Sequence, residues 1–377
     1  MQPKLFTREN IHTLDFPPTP DGDYTRRYLT PILSRGPQTF IRNVHDTQMM
    51  LARVDDVILS VTTTDFHIDN AYTVSPYSHY ISYGGYEEVR NLNNPPVEWL
   101  VKLLLQPIAS YFRNSDFDRV TFVNNWLLST NLYPAMAETQ IEVLAEALPR
   151  WFPDRAVIFR SVDQFRNPLL FDILQKQGYE MILSRQVWYM PPEVATRTRQ
   201  FKEDARVLRN HGYEILENKS LTDENLTRIL ALYEMLYLHK YSYFNPQFTF
   251  EFLKLARDEE TLHLRALRRD GRINAAMGFF VRNGVMTQPL FGYDTSLPEQ
   301  GLYRLLTLIT LREGLQRGLL VHASGGVGKF KKVRGGVSTI EYNAVYMKHL
   351  PKSRQRPWKL IQAISKYAIP YFQKNDF

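Results

Sequence analysis

The fold prediction rests on one stretch near the C-terminus, residues 292–343, which runs GYDTSLPEQ-GLYRLLTLIT-LREGLQRGLL-VHASGGVGKF-KKVRGGVSTI-EYN. Its pattern predicts a strand that ends at Gly292-Tyr293-Asp294 and a helix that begins at Gly301 and stops at Gly318. A second predicted strand leads into Ser324-Gly325-Gly326 and a short basic turn. A loop that leads into a helix N-terminus presents free backbone N–H groups and the positive end of the helix dipole. The stretch therefore suits the binding of an anionic group.

Outward from this stretch, the chain shows the same order of predicted elements twice. A β-hairpin across Asp55-Asp56 opens the first series, and a hairpin across Asp270-Gly271 opens the strands of the second. The region Tyr72 to Tyr83 also favours a strand. We predict an α+β protein of two consecutive domains, each a mixed twisted sheet flanked by helices. The predicted divisions are an extended lead-in (1–37), an N-terminal domain (38–195), a C-terminal domain with the active site (196–350) and a basic C-terminal tail helix (351–377).

The composition narrows the class of protein. The chain has 377 residues, 44% of them hydrophobic and 23% charged, which is typical of a globular protein and excludes a disordered one. There is no cysteine, so a disulfide scaffold, a thiolate metal site and a cysteine nucleophile are excluded. No signal-peptide or membrane-span pattern is present, and we expect a cytoplasmic protein. The net charge of +7 favours an anionic partner.

Two common site types are rejected on spacing. The segment from Ser324 to Phe330 resembles a phosphate-binding P-loop, but no glycine lies five residues before Gly328, and Phe330 stands where a Ser or Thr must bind magnesium. The nine histidines form no HExxH or similar pair, so we expect no metal site.

The quoted stretch resembles the C-terminal half of a GNAT-type acyltransferase domain. The features shared with tandem GNAT proteins, including the Fem-type peptidyltransferases, are a strand end at Asp294, a helix led by Gly301, a small residue at Ser324 and the turn Phe330-Lys331…Gly335. In the first half, Ser75-Pro76-Tyr77 and Val187-Trp188-Tyr189 resemble strands of the same group. The resemblance covers about residues 40–350. It implies two GNAT-like domains and an N-acyltransferase activity, with the active site in the second.

One departure concerns the acyl donor. Acetyl-CoA users of this fold carry Gln/Arg-x-x-Gly-x-Gly/Ala in the pyrophosphate loop, whereas this chain has Pro298 at the first of these positions and the bulky Tyr303 at the last. The resemblance therefore leaves three donors open, which are acyl-CoA, an acyl-carrier protein and aminoacyl-tRNA. No tightly bound cofactor is expected, because each of these donors is a co-substrate.

The site residues expected from this reading fall into three groups. An amine must lose a proton before it attacks a carbonyl, and the oxyanion that forms needs a donor; the expected catalytic residues are Asp294, Lys331, Glu341 and Tyr342. Those expected to bind the donor are Gln300, Gly301, Leu302, Ser324, Gly325, Gly326, Lys329, Lys332 and Arg334. Those expected to bind the acceptor are Tyr241, Tyr243, Asn245 and Tyr293.

The expected function is transfer of an acyl group from a thioester, on CoA or acyl-carrier protein, to the amine of a small polar acceptor. Two alternatives stay open: an aminoacyl-tRNA-dependent transferase of Fem type, and a non-catalytic binding protein on the same scaffold. The expected partners are a small amine and, by donor, acyl-carrier protein or tRNA. The basic tail is suited to binding tRNA or an anionic membrane, or it packs on the protein by its apolar side. The sequence leaves the oligomeric state open.

Overall fold

The computed structural model describes residues 2–87, 95–298 and 301–375. Its strands form one twelve-stranded sheet. They are β1 (Lys4–Phe6), β2 (Gln48–Val54), β3 (Val57–Thr64), β4 (Val120–Val123), β5 (Ala156–Asp163), β6 (Glu180–Met190), β7 (Glu214–Glu217), β8 (His263–Arg269), β9 (Arg272–Arg282), β10 (Val285–Tyr293), β11 (Leu320–His322) and β12 (Val337–Tyr346).

Helices cover the faces of this sheet, so the predicted α+β class is confirmed. The helices are α1 (Pro20–Arg35), α2 (Pro95–Asn114), α3 (Glu138–Trp151), α4 (Pro168–Lys176), α5 (Pro192–Ala195), α6 (Arg199–His211), α7 (Asp223–Glu234), α8 (Phe250–Asp258), α9 (Leu302–Arg317), α10 (Gly328–Lys332) and α11 (Lys352–Lys374). Two segments, Ser78–Glu87 and Met235–Tyr241, form wider π-helical turns.

The strand order is the same in both halves of the chain. In the first half, β1 to β4 are antiparallel neighbours and β4 pairs with β5 in parallel. In the second half, β7 to β10 are antiparallel neighbours and β10 pairs with β11 in parallel. A parallel pair at the same place in each half gives each half one point at which neighbouring strands can separate at their carboxyl ends.

The two halves exchange strands at the centre of the sheet. The order there is β5-β12-β6-β11, so β12 from the second half lies between β5 and β6, and β6 from the first half lies between β12 and β11. All three central pairings are antiparallel. Each half is thus completed by a strand of the other. The predicted division at residues 195–196 is not tested by this arrangement and stays a prediction.

Arg282 links the halves a second time. Its side chain is 1% exposed and forms an ion pair with Asp21 of α1, with Nε–Oδ1 at 2.6 Å. The same guanidinium donates to Oδ1 of Asn124 and to the carbonyls of Leu132 and Ile58, at 3.0–3.3 Å. A buried arginine is tolerated when its donors are satisfied in this way.

The N-terminal segment corrects one expectation. Residues 1–37 were expected to be extended, but α1 occupies Pro20–Arg35. Thr19 caps this helix by accepting the amide of Gly22 at 3.1 Å, and Pro20 takes the first helical position. Proline is favoured there because it has no N–H to leave unpaired.

Candidate active site

The strands β10 and β11 separate after three residue pairs. Val285, Met286 and Thr287 pair in parallel with 320–322, and β10 then continues alone toward Tyr293. The chain after β11 turns to β6 instead, because the amide of Ala323 donates to the carbonyl of Trp188 at 2.8 Å. A β-bulge between Thr287 and Leu290 bends β10 at the same point. The two parallel strands therefore diverge at their carboxyl ends, a place where α/β sheets bind ligands; we call this point of divergence the opening.

Gln288 is the first residue of β10 beyond this pairing. Its side-chain Nε2 is buried and has no hydrogen-bond partner among the described residues. The next residue, Pro289, has no backbone N–H. A buried amide without a partner is costly, about 1–3 kcal/mol. The vertex of the opening thus holds an unused donor.

The corresponding point in the first half is closed. There β4 and β5 pair over 120–123 and 156–159, and the next residue is Asn124. Its side chain donates to the carbonyl of Leu132 at 3.3 Å and accepts from Nε1 of Trp126 at 2.9 Å. Trp126 and Leu127 are fully buried in the loop that follows. The amide at this vertex is therefore satisfied by protein groups.

Tyrosine rings cluster near the end of β10 and the start of α9. The ring centroid of Tyr303, at the start of α9, lies 6.3 Å from that of Tyr293 and 4.8 Å from that of Phe330. Tyr237 lies 5.8 Å from Tyr241. Burial raises the pKa of Tyr303 and of Tyr237, so both phenols stay neutral and can donate hydrogen bonds.

Of the four residues expected to bind the acceptor, two are largely exposed. These are Tyr241 and Tyr243, at 47% and 52%. Tyr293 is half-buried beside Tyr303. Asn245 is buried, and its Nδ2 donates to the carbonyls of Tyr237 and Ser242, both at 3.1 Å. It therefore closes the 235–245 loop with the N–H groups of its side-chain amide.

Asp294 lies at the end of β10, as expected, but it is held by cations. Its Oδ2 lies 2.7 Å from Arg228 and 3.1 Å from Arg272, while Oδ1 accepts from the amide and hydroxyl of Ser296. Burial tends to raise the pKa of Asp294, but the Ser296 and Arg228 hydrogen bonds outweigh burial and lower it. This carboxylate anchors the loop that leads to α9.

Lys331 is buried inside the turn that follows β11. Its Nζ donates to the carbonyl of Ser324 at 3.1 Å and to that of Gly325 at 2.7 Å. Ser324, Gly326 and Val327 all have positive φ, at 58°, 72° and 48°. Three such residues in one turn are uncommon, and the buried ammonium stabilises the turn by binding two of its carbonyls.

Lys331→Met is expected to reduce the rise of stability with pH above neutrality. Burial lowers the pKa of Lys331 to about 7, and the positive charge of Arg185 adds to this. In the unfolded chain the pKa returns to its ordinary 10.5. Between these values the unfolded state binds a proton that the folded state has lost, so the free energy of unfolding rises with pH, by up to about 1.4 kcal/mol per pH unit. Urea unfolding from neutral pH to about pH 10 measures the slope.

The control for this measurement is Lys329→Met, which removes an exposed lysine from the same turn. It should leave the slope of the parent protein unchanged. Equal slopes in the parent protein and in Lys331→Met would show that Lys331 does not lose its proton in the folded state.

Glu341 lies at the centre of the sheet, on β12, and is paired with Arg185 of β6. The distance from Arg185 Nε to Glu341 Oε1 is 2.9 Å. Burial tends to raise the pKa of Glu341, but Arg185 outweighs it and lowers the pKa. Arg185 also donates to Oγ of Ser324 at 3.1 Å. The guanidinium thus ties the turn after β11, and so Lys331, to the exchanged strands.

His322, the last residue of β11, is neutral near pH 7. Burial lowers its pKa to about 4, against the opposing effect of Glu341, whose Oε2 lies 4.0 Å from Nε2. Its Nδ1 accepts from the amide of Ser324 at 3.1 Å, which leaves the proton on Nε2. The imidazole therefore positions Ser324 rather than carrying charge.

Arg334 is buried and does not face an open site. Its Nη2 lies 2.9 Å from Oδ2 of Asp204 on α6, and Arg304 of α9 binds Oδ1 of the same carboxylate at 2.6 Å. The guanidinium also stacks on the ring of Phe330, 3.5 Å from its centroid. This group fastens α10 and α9 to α6.

The other predicted residues are placed as follows. Gly301 has φ 60° and precedes α9, and the buried Leu302 opens that helix. Lys329 and Lys332 are exposed on α10. Gln300 lies outside the described residues. Tyr342 packs edge-on against Phe171 of α4, 5.4 Å between centroids, in a cluster of the first half away from the opening.

The sequence patterns did not indicate Gln288, Arg185 or His322 as site residues. They indicated Tyr303 only as a bulky residue, and not as a donor of hydrogen bonds. A Gln-Pro pair inside a predicted strand is the one local signal, because proline marks a bulge or an edge. Nothing near Arg185 in sequence points to Glu341, which is 156 residues away. Within the described residues, no group of three or more acidic or histidine side chains could hold a metal ion. In the same residues, no helix is long and apolar enough to span a bilayer.

Comparison with known proteins bears on this geometry. Residues 195–332 match the family model for an acetyltransferase (GNAT) domain. No curated protein matches the chain. Three solved structures show a likeness in fold. A tandem GNAT protein from the clavulanic acid biosynthesis pathway is 10% identical (93% of this chain and 100% of that one, TM-score 0.39). FemX is 10% identical (64% and 83%, TM-score 0.47). A GCN5-related N-acetyltransferase from Kribbella flavida is 14% identical (60% and 82%, TM-score 0.34).

The family match covers β7 to β11 together with the helices α6 to α10. These are the elements that build the open vertex at Gln288 and the turn held by Lys331. The first half repeats the same strand order with its vertex closed. Residues 195–332 therefore match an acetyltransferase (GNAT) domain, and they lie in one twelve-stranded sheet whose first half repeats the same strand order.

Proposed function

We propose that the protein is an N-acyltransferase that moves an acyl group from a thioester to the amine of a small polar acceptor, at the opening between β10 and β11. The observation that carries the proposal is the contrast between the two vertices. Among the described residues, the vertex amide of Gln288 in the second half has no partner, whereas the equivalent Asn124 in the first half is satisfied by protein groups.

The chemistry needs one donor and one proton acceptor. As the amine nitrogen attacks the carbonyl carbon, a C–N bond forms and the carbonyl oxygen gains negative charge; the C–S bond then breaks, and the thiolate takes a proton. The Nε2 of Gln288 is the group that stabilises the oxyanion. Lys331 is the group suited to take the proton from the amine, because a lysine with a pKa near 7 is partly neutral at neutral pH. Asp294 and Glu341 are less suited to this step, since arginines hold both.

A second donor is favoured by a separate observation. Arg334 is bound by Asp204, Lys331 binds backbone carbonyls, and Tyr303 packs against Phe330 at the start of α9. These contacts engage Arg334, one of the cations expected to bind the donor, together with Lys331, which is expected to be catalytic, and they place an aromatic ring at the loop. Aminoacyl-tRNA is therefore the alternative donor, because its phosphates do not have to bind at this loop. The net charge of +7 agrees with a tRNA partner.

Gln288→Glu is expected to lower kcat by about a hundredfold with little change in KM. The substitution keeps the shape of the side chain but replaces the N–H donor by an acceptor, and loss of one oxyanion donor typically costs about 10²–10³ in kcat. The measurement is release of thiol from acetyl-CoA with a panel of small amines, and release of deacylated tRNA from aminoacyl-tRNA with the same panel.

The control is Gln164→Glu, which makes the same change on an exposed turn and should leave turnover unaltered. Turnover by Gln288→Glu at the parent rate would remove Gln288 from the reaction. If the parent protein binds and consumes none of acetyl-CoA, acylated carrier protein or aminoacyl-tRNA, the proposed activity itself fails.

A further inference from the structure

The C-terminal helix α11 carries an apolar row on its outer side. The row consists of Leu360, Ile364, Tyr367 and Tyr371, which are 39%, 51%, 86% and 60% exposed. Their spacing of four, three and four residues places them on one face of a helix. We call this row the outer stripe. Four large apolar side chains exposed side by side mark an interaction surface rather than an ordinary solvated face.

The outer stripe is not the face that docks the helix on the protein. That role belongs to Trp358, Ile361 and Ser365, which are buried. The amide of Leu183 on β6 donates to Oγ of Ser365 at 3.3 Å, and Nε2 of Gln186 donates to the carbonyl of Phe372 at 2.7 Å. The helix is therefore seated along its length by a face other than the outer stripe.

Basic residues flank the outer stripe. Residues 352–374 contain six lysines and arginines and no acidic residue. Arg354 donates to backbone carbonyls such as that of Arg119. Five of these six residues are exposed and form no ion pair with any described residue; they are Lys352, Arg356, Lys359, Lys366 and Lys374.

We propose that α11 docks on the surface of an anionic lipid bilayer through the outer stripe and its basic flank. An amphipathic helix lies in the interface with apolar side chains among the acyl chains and cations at the headgroups. Each lysine or arginine near an anionic surface contributes about 1 kcal/mol. Tyr367 and Tyr371 are suited to the boundary between the headgroups and the acyl chains, because each has an apolar ring with a polar hydroxyl at its tip.

Two other occupants fit less well. A nucleic acid would use the cations but gives no reason to expose Leu360 and Ile364. A second copy of this chain would bring like charges together, because the same basic flank would face itself. Helix α2 agrees with a lipid surface: it packs into the same core cluster as Trp358 and exposes Trp99, Leu103 and Leu104.

The test is co-sedimentation of the full chain with vesicles of phosphatidylcholine, with and without phosphatidylserine, at low and physiological salt. The protein should sediment with the phosphatidylserine vesicles, and more weakly as salt rises. The double variant Ile364→Glu/Tyr367→Glu should lose about tenfold or more of this binding, because it removes apolar contacts and adds like charge to the bilayer. Both positions are exposed, so circular dichroism should show an unchanged fold.

Leu315→Glu is the matched control, since Leu315 is 47% exposed on α9, outside the outer stripe. It should bind vesicles as the parent does. Equal binding by the double variant and the parent, or no binding of the parent to phosphatidylserine vesicles at low salt, would overturn the proposal. A third outcome would also overturn it. If sedimentation velocity shows that the parent is a dimer and the double variant a monomer, and neither binds vesicles, the outer stripe is a contact between two copies of this chain.

Discussion

Arg185→Met is expected to lower the free energy of unfolding by about 3–5 kcal/mol, the range found when one partner of a buried ion pair is removed. Glu341 is 2% exposed and lies on the central exchanged strand, so without Arg185 its charge would remain buried and unpaired. The substitution also takes donors from Oγ of Ser324 and from the carbonyl of Ser129. Urea unfolding measures the loss.

The pH dependence of the same variant separates an unpaired charge from a simple loss of packing. In the parent protein Arg185 outweighs burial and lowers the pKa of Glu341. Without it, burial raises that pKa above the ordinary 4.5, so the folded state binds a proton that the unfolded state does not. Stability of Arg185→Met should therefore increase as the pH falls from neutral toward the ordinary pKa, relative to the parent.

The double variant Arg185→Met/Glu341→Gln should recover a large part of the loss, because no charge is then left buried. Arg35→Met is the matched control, since Arg35 and Glu251 form an ion pair at 2.7 Å that is 50% and 40% exposed. Its cost should stay below about 1 kcal/mol. A similar small cost for Arg185→Met would show that Glu341 is not an uncompensated charge.

Local sequence patterns predict much of the fold correctly. The hairpin across Asp55-Asp56 is present as β2 and β3, and Asp55 has φ 51°, as a tight turn requires. The predicted helix from Gly301 to Gly318 is α9, with Gly318 at φ 63° as its stop. In both cases the signal lies within a few residues of the element, which is the range over which turn and cap preferences act.

The predictions of secondary structure are wrong where residues distant in sequence determine the local conformation. The stretch Tyr72 to Tyr83 was expected to be a strand, but Ser78–Glu87 is helical. Asp118 explains why: it accepts from Oγ of Ser75 at 2.5 Å and from the amide of Tyr77 at 2.6 Å, just before this segment begins. These bonds span about 40 residues, so no local pattern reveals them.

The candidate site follows the same rule. The strand ends and turns that carry Asp294, Ser324 and Lys331 are where the sequence places them. Their partners are not predictable, since Arg228 meets Asp294 across 66 residues and Asp204 meets Arg334 across 130. The residue types therefore indicate the kind of site, while the pairing determines which side chains are free for chemistry. The predicted catalytic and binding roles stay predictions.

The exchange of β6 and β12 leads to the largest expected effect, which is that neither half folds without the other. Residues 1–195 alone would leave the inner edges of β5 and β6 without partners. Residues 196–377 alone would lack β6, which separates β11 from β12. Unpaired central edges expose backbone groups and apolar faces together, which favours aggregation over folding. Each fragment expressed alone should show no cooperative unfolding by circular dichroism.

The two fragments should nevertheless assemble when they are expressed together. The pairings of β6 with β12 and β11 extend over Glu180–Met190, and Pro192 and Val194 of α5 lie within 2.9 Å of where a Cβ on Gly314 and Gly335 would stand. The first fragment thus carries both a strand and a helix that fit the second.

A protease site inserted in the 196–198 connector gives the matched control. Cleavage there interrupts neither strand, so the cut protein should elute as one species and unfold in a single transition. If residues 196–377 instead fold alone as a monomer with cooperative unfolding, β11 and β12 can pair directly, and the exchange is not required for folding. If residues 196–377 fold only when residues 1–195 are present, the vertex at Gln288 exists only in a chain that has both halves. The reason is that the turn after β11 hydrogen-bonds to β6, and this contact determines where β10 and β11 separate.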